Sequence, residues 1–289
     1  MKRMPSWFLS ALIAGLAAGS AGTPSKAGEA LLTLVICAPG YPGSTADAQP
    51  TMDRFAAQVS ALAGWPDGHL QAIYYETEAA GLARMREADA VLAMVPLPFF
   101  VRHAADLKMR PILSVEPESG REEVWSLVAR RGLIHEAADL AGWEVLGQPC
   151  YAPRLVRGPI LGTWGEVPAD VRFSFAPRVL SAVRRAATEE RTAVLLNRAQ
   201  TKALAALPFA ADLEVVSRSK PLPATLICSL GERAVADDLN RLEAALRSLH
   251  EQDEGRAVLA DARMKRFRPL DEKGMQRVHE LLAALPVGR

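Results

Sequence analysis

The sequence predicts an α/β protein of two lobes, each an αβ layer on a parallel-type sheet, joined by a two-segment hinge. Three observations carry this. Short apolar runs rich in branched residues alternate with segments of helical periodicity, the pattern of crossover βαβ units. The alternation runs through one half of the chain and starts again in the other. Prolines at positions 117, 221 and 223 favour extended backbone where the chain passes between the halves.

In chain order, the run from Leu31 to Ala38 reads as a strand buried on both faces, and Pro39 to Thr45 as a loop. Met52, Phe55, Ala56, Val59, Leu62 and Ala63 recur at helical spacing until Gly64. Ala72 to Tyr75 is a strand, and Thr77 caps a helix through Glu87. Ala90 to Val95 is a strand stopped by Pro96, and Pro98 suits the first turn of a helix reaching Leu107. Pro111 to Val115 is a fourth strand. Val124 to Ala129 is another, followed by a helix ending near Leu140; Trp143 to Leu146 opens a second sheet. Strands over Val171 to Phe175, Ala193 to Leu196 and Leu213 to Val216 flank helices carrying Val179, Val183 and Ala187, and spanning Gln200 to Leu207. Ala224 to Cys228 returns the chain to the first sheet. The remainder reads as helical: a stripe from Leu239 to Leu249, a short helix at Val258 and Leu259, and a last helix over Asp271 to Leu285. The basic run from Arg263 to Arg268 reads as a solvated helix end. The division that follows is 28–116 plus 224–289 for one lobe and 117–223 for the other.

The 289 residues are 49% apolar with mean hydropathy +0.05, which excludes a disordered or fibrous chain. Basic and acidic side chains number 34 and 33, without the basic excess of a nucleic-acid binder, and no nucleic-acid partner is expected. Residues 1–27 have the layout of a secretory signal peptide: Lys2 and Arg3, an apolar stretch from Trp7 to Gly19, then small residues. Cleavage after Ala27 or after Ala21 fits equally. An exported chain makes the three cysteines of interest: Cys37 with Cys228 is one pairing, and buried free thiols are the alternative.

Four stretches together resemble a known family: LTLVICAPGYPG (32–43), YYETEAAGLARMREADAVLAMVPLPFF (74–100), the Asp139-Leu140-Ala141-Gly142-Trp143-Glu144-Val145 entry into the second half, and the segment from SRSKPLPATLICS (217–229) to the C-terminal helices. The chain is similar to the type II periplasmic solute-binding proteins, most of all the phosphate/phosphonate branch of ABC-transporter binding components. The resemblance implies a hinged, monomeric periplasmic protein that closes on a small polar or anionic solute. It implies delivery to a membrane permease, or signalling to a membrane sensor. One departure concerns the ligand. The family's Ser/Thr-rich anion loop corresponds to Gln148 to Gly158, which has neither residue, so phosphonate is not carried over.

Ligands on such sheets bind at the carboxyl ends of strands. This selects Tyr41 and Ser44 on the first rim loop, Glu76 and Thr77 on the second, and Pro98 and Phe99 on the third. Tyr151 and Arg154 occupy the family's anion loop, with Arg157 beside them, and Asn197 and Gln200 follow a strand of the second half. Each has an ordinary alternative. Ser44 suits a turn, Thr77 and Asn197 suit helix caps, Phe99 suits the core, and the arginines suit a solvated loop. The histidines at 69, 103, 135, 250 and 279 have no metal-ligand spacing, and no nucleophile motif is present. Neither cofactor, metal nor catalysis is expected.

Overall fold

The computed structural model describes residues 31–41 and 43–286. The signal-peptide reading of residues 1–27 lies outside them. Two sheets form, each with helices against it. The first is built from β1 (Leu32–Cys37), β2 (Leu70–Tyr75), β3 (Ala90–Pro96), β4 (Met109–Pro117), β10 (Thr225–Leu230) and β11 (Met264–Pro269). The second takes β5 (Ser126–Arg130), β6 (Glu144–Gly147), β7 (Arg172–Phe175), β8 (Thr192–Leu196) and β9 (Leu213–Arg218). Their strand orders are β11-β4-β10-β3-β1-β2 and β7-β6-β8-β5-β9. The helices of the first lobe are α1 (Thr45–Ala63), α2 (Glu78–Met85) and α3 (Leu97–His103), joined after the return by α7 (Ala236–Ser248), α8 (Asp253–Asp261) and α9 (Glu272–Ala283). The second lobe carries the single turn α4 (Pro153–Leu155), α5 (Val179–Thr188) and α6 (Arg198–Leu204). The two-lobed α/β class stands as expected.

The sheets are mixed rather than parallel throughout. β1 runs parallel to β2 and β3, as the crossover helices α1 and α2 require. β10 enters from the other lobe and lies antiparallel between β3 and β4. In the second sheet β6 is parallel to β7 and β8, while β5 is antiparallel to β8 and β9. Strands β5 and β10 are joined directly to the crossings, which reach each sheet from outside its βαβ succession.

Two further expectations are corrected. The helix ending near Leu140 is only a 3₁₀ turn, Ala137–Leu140. The run from Arg263 to Arg268 lies in an edge strand instead of a helix end. Met264 and Phe267 of β11 are buried, while Lys265, Arg266 and Arg268 converge on the buried Glu116 carboxylate of β4 at 3.8, 2.8 and 3.0 Å. A register shift between Met264 and Arg266 breaks the simple alternation that would have marked a strand.

The crossings pair with each other. The Glu123 N–H donates to the Leu222 carbonyl at 2.8 Å, and Leu222 returns the bond at 2.9 Å. Ser219 N–H donates to the Trp125 carbonyl at 2.8 Å, and Trp125 N–H donates to Ser219 Oγ at 3.0 Å. Buried side chains from both lobes share one apolar cluster, including Phe99, Trp125, Leu127, Leu155, Leu226 and Val278. The last helix, α9, therefore sits across the junction: a Cβ on Gly158 of the second lobe would lie 2.9 Å from the Leu281 carbonyl oxygen.

All three cysteines are free and buried. Cys37 on β1 and Cys228 on β10 are separated by β3, about two strand spacings apart, which is beyond disulfide reach. Burial pushes both thiols up to about 12.

The start of β3 in the first lobe is tied by Asp89. Arg84 donates to its two oxygens at 2.8 and 2.6 Å, and Thr33 Oγ1 donates at 3.0 Å. The guanidinium, then the hydroxyl, hold its carboxyl down to about 2. Depressed below its unfolded value, this group stabilises the fold above pH ~4 and loses that contribution as pH falls toward ~2. Because the carboxylate is partly exposed and solvent-screened, Asp89→Asn should cost about 1 kcal/mol in urea unfolding at pH 7. The gap from the parent should close as the pH approaches 2. A gap unchanged by acid would show that the ion pair contributes nothing.

Candidate functional site

A cavity of about 930 Å³ opens between the lobes at the carboxyl ends of β1, β2, β6 and β7. Two stretches of the first lobe wall one side: Pro39, Gly40, Tyr41, Gly43, Ser44 and Asp47 after β1, and Glu76, Thr77 and Glu78 after β2. Gln148 and Tyr151 after β6, Phe175 to Val179 after β7, and Gln200 wall the other.

The first wall is organised by helix starts, whose unpaired N–H groups need acceptors. Ser44 caps α1 and forms a reciprocal box with Asp47, and the Glu76 carboxylate accepts from Thr45 N–H at 2.6 Å. Hydrogen bonds from Ser44 hold the Asp47 carboxyl below the usual range. Thr77 caps α2 through Ala80 N–H at 3.4 Å. Glu78 meets His103 Nε2 at 2.5 Å and Arg102 Nε at 3.2 Å, both from α3.

The second wall reaches across. Gln148, buried, donates its amide to the Gly40 carbonyl and accepts from Gln200 Nε2 at 2.9 Å. Gln200 is fixed by its capping box with Asn197 at the start of α6, at 3.0 and 2.9 Å. The relay Asn197–Gln200–Gln148–Gly40 thus spans the cleft. Arg102 makes a second bridge, donating to the Tyr151 carbonyl while holding Glu78. Phe175 meets Tyr151 edge-on at 5.5 Å, and a Cβ on Gly40 would lie 3.1 Å from the Phe175 ring. Gly40 has φ +81°, a conformation that favours glycine.

The Tyr151 hydroxyl is buried and finds no hydrogen-bond partner among the described residues, although the residue lines the cavity. Leaving a buried hydroxyl unmatched costs about 1–3 kcal/mol. Desolvation first, then nearby Cys37 and Glu78, push its phenol well above the usual range and keep it a neutral donor. At the back of the cleft region, the Glu123 carboxylate on one crossing accepts from Arg198 N–H at 2.8 Å and Val124 N–H at 3.0 Å, and burial pushes its pKa up.

Of the side chains selected from sequence, Tyr41, Ser44, Glu76, Thr77, Tyr151 and Gln200 line this cavity. Asn197 stands behind it as a helix cap. Pro98 and Phe99 do not line it: α3 begins one residue before Pro98, and both are buried. Arg154 is exposed and donates to the Leu282 carbonyl at 3.0 Å, binding α9 instead of facing the cleft. Arg157 donates to the carbonyls of Val167, Pro168, Ala169 and Val171 and lies 4.9 Å over the Phe173 ring. Both arginines thus fasten backbone carbonyls instead of facing the cleft. Sequence reading missed Gly40, Asp47, Gln148, Phe175 and Arg178. The carboxyl-end rule would have reached Phe175 and Arg178 once β7 was placed beside β6. Gln148 gave a weaker signal, a lone amide directly after an apolar strand.

No family model matches the chain, and no curated protein does. Solved structures do share its fold. XAC2383 from Xanthomonas citri, solved with chloride, is 17% identical, with TM-score 0.67 over 87% of this chain and 96% of that one. A binding-protein component of an ABC phosphonate transporter from Pseudomonas aeruginosa, PA3383, is 15% identical, with TM-score 0.60 over 87% and 85%. PhnD1 from Prochlorococcus marinus, in complex with methylphosphonate, is 14% identical, with TM-score 0.60 over 86% and 96%. The sequence resemblance is borne out at the level of the fold.

Proposed function

We propose that this chain is an exported solute-binding protein whose lobes close on a small polar solute and present it to a membrane importer. The lobes are 28–116 plus 224–289 and 117–223, and the hinge is the paired crossings at Glu123 and Leu222. The observation that carries the reading is the Tyr151 hydroxyl, buried without a partner among the described residues in a cavity walled by both lobes. The likeness of fold to transporter binding components supports it, and the signal-peptide layout of residues 1–27 supports export. Binding rather than turnover fits a cleft whose carboxylates are committed to helix starts and ion pairs.

Protein purified without unfolding should release a small solute on denaturation, close to one equivalent by mass spectrometry. Tyr151→Phe should release about a tenth as much. The same change should leave the empty protein as stable or about 1 kcal/mol more stable, since it removes a desolvated hydroxyl. A Tyr151→Phe variant that is less stable and carries as much solute would assign Tyr151 to the core and defeat the reading.

A further inference from the structure

One polar path runs from the crossings to the far wall of the cleft. At its outer end the Gln148 amide donates to the Gly40 carbonyl of the first lobe. Gln148 is held by Gln200 Nε2 at 2.9 Å, and Gln200 by its reciprocal bonds with Asn197 at the start of α6. Helix α6 is seven residues long, and Leu204 is its buried residue. Little apolar packing therefore fixes its angle.

The crossing fixes it instead. The buried Glu123 carboxylate accepts from Arg198 N–H at 2.8 Å and from Val124 N–H of its own segment at 3.0 Å. The Arg198 guanidinium donates to the Glu122 carbonyl at 3.2 Å. The backbone of Glu123 is also the point where the two crossings pair, with Leu222. Capping alone does not account for this carboxylate, because Asn197 already caps α6. Burying a charge is costly, and here burial pushes the Glu123 carboxyl up.

Resting on the solute-binding reading above, we propose that Glu123 is the positioning residue of closure. Through Arg198 N–H it sets the angle of α6, and through Gln200 and Gln148 it carries the position of the hinge to Gly40 on the opposite lobe. The bridge across the cleft then forms at one hinge angle and is lost at others.

Pulsed spin resonance on the full chain tests this, with nitroxides on cysteines placed at Leu133 and Val235. Both positions are exposed, on opposite lobes, and the native thiols are buried. Distances are read on protein as purified and after its solute is removed by denaturation and refolding. The parent should give two interlobe distances, closed and open. Glu123→Ala should lower the closed-to-open ratio about 3- to 30-fold. Arg198→Pro should lower it as far. Proline suits the first position of a helix but has no N–H, and its ring takes the space of the carboxylate. Arg198→Ala keeps the N–H and should shift the ratio less than Arg198→Pro does. Glu123→Gln keeps an acceptor and should shift it less than Glu123→Ala. Gln200→Ala should lower the ratio too, and adding Glu123→Ala to it should lower the ratio no further, since the path is already cut. A carboxylate with a structural role alone would lower the melting temperature and leave the ratio unchanged, which overturns the proposal. Additive effects of Glu123→Ala and Gln200→Ala overturn it as well. Two parent distances indifferent to Glu123→Ala and Arg198→Pro sink this proposal only. A single parent distance in both preparations sinks it together with the closing-cleft reading.

Discussion

Phe99→Ala should unfold about 3–5 kcal/mol more easily than the parent, the range for emptying a buried phenylalanine site. Phe99 is 0% exposed, its ring lies 4.8 Å from that of His103, and it belongs to the cluster shared by both lobes. Urea unfolding at neutral pH measures the loss. Phe99→Leu, which keeps most of the volume, should lose less than half as much and fold. The contrast separates two roles for one residue. A ring facing the cleft would give weaker solute retention at nearly unchanged stability, and that result would refute the placement. By sequence Phe99 follows the carboxyl end of β3, where rim residues lie. By structure α3 starts at Leu97, directly after β3, and turns the ring back under the sheet.

Gly40→Val should weaken solute binding about 5- to 150-fold while each lobe keeps its fold. Gly40 has φ +81°, and a Cβ there would lie 3.1 Å from the Phe175 ring and 3.4 Å from the Gln148 side chain. Both neighbours belong to the other lobe, so the overlap burdens the closed arrangement and not the first lobe alone. Overpacking of this kind costs about 1–3 kcal/mol. If that cost falls on the binding-competent state, apparent affinity drops by the corresponding factor. Backbone strain at positive φ is a separate cost, and Gly68→Val isolates it: Gly68 has φ +77° with no atom within 4 Å. Solute retained per chain, measured beside the melting temperature, separates the two. If the Gly68 and Gly40 variants lose the same stability and retain the same solute, the contact with Phe175 has no part in closure.

Six of the ten side chains selected from sequence line the cavity, four of them through a rule about chain direction. Tyr41, Ser44, Glu76 and Thr77 follow strands whose parallel pairing brings their carboxyl ends to one rim. Arg154 was selected for its charge and its place in a loop, and neither fixes where a long side chain ends. The packing of α9 against 153–160 decided that Arg154 would serve a helix carbonyl. The contact of Glu78 with Arg102 was illegible for a related reason. Their pairing joins the start of α2 to α3, and the two meet only when β1 and β3 lie side by side.

The residue pattern by itself determined the succession of strands and helices, the return to the first sheet after 223, and the rim loops that follow β1 and β2. These depend on burial periodicity and on proline and glycine, whose effects act within a few residues. Only the tertiary structure decided that β10 would run against its neighbours, that a basic run would form β11, and that Gln148 would span the cleft to Gly40. Each of those outcomes is set by a partner far away in the chain. The energy of a buried amide or an unneutralised carboxylate depends on what that partner places opposite it, which local composition does not contain.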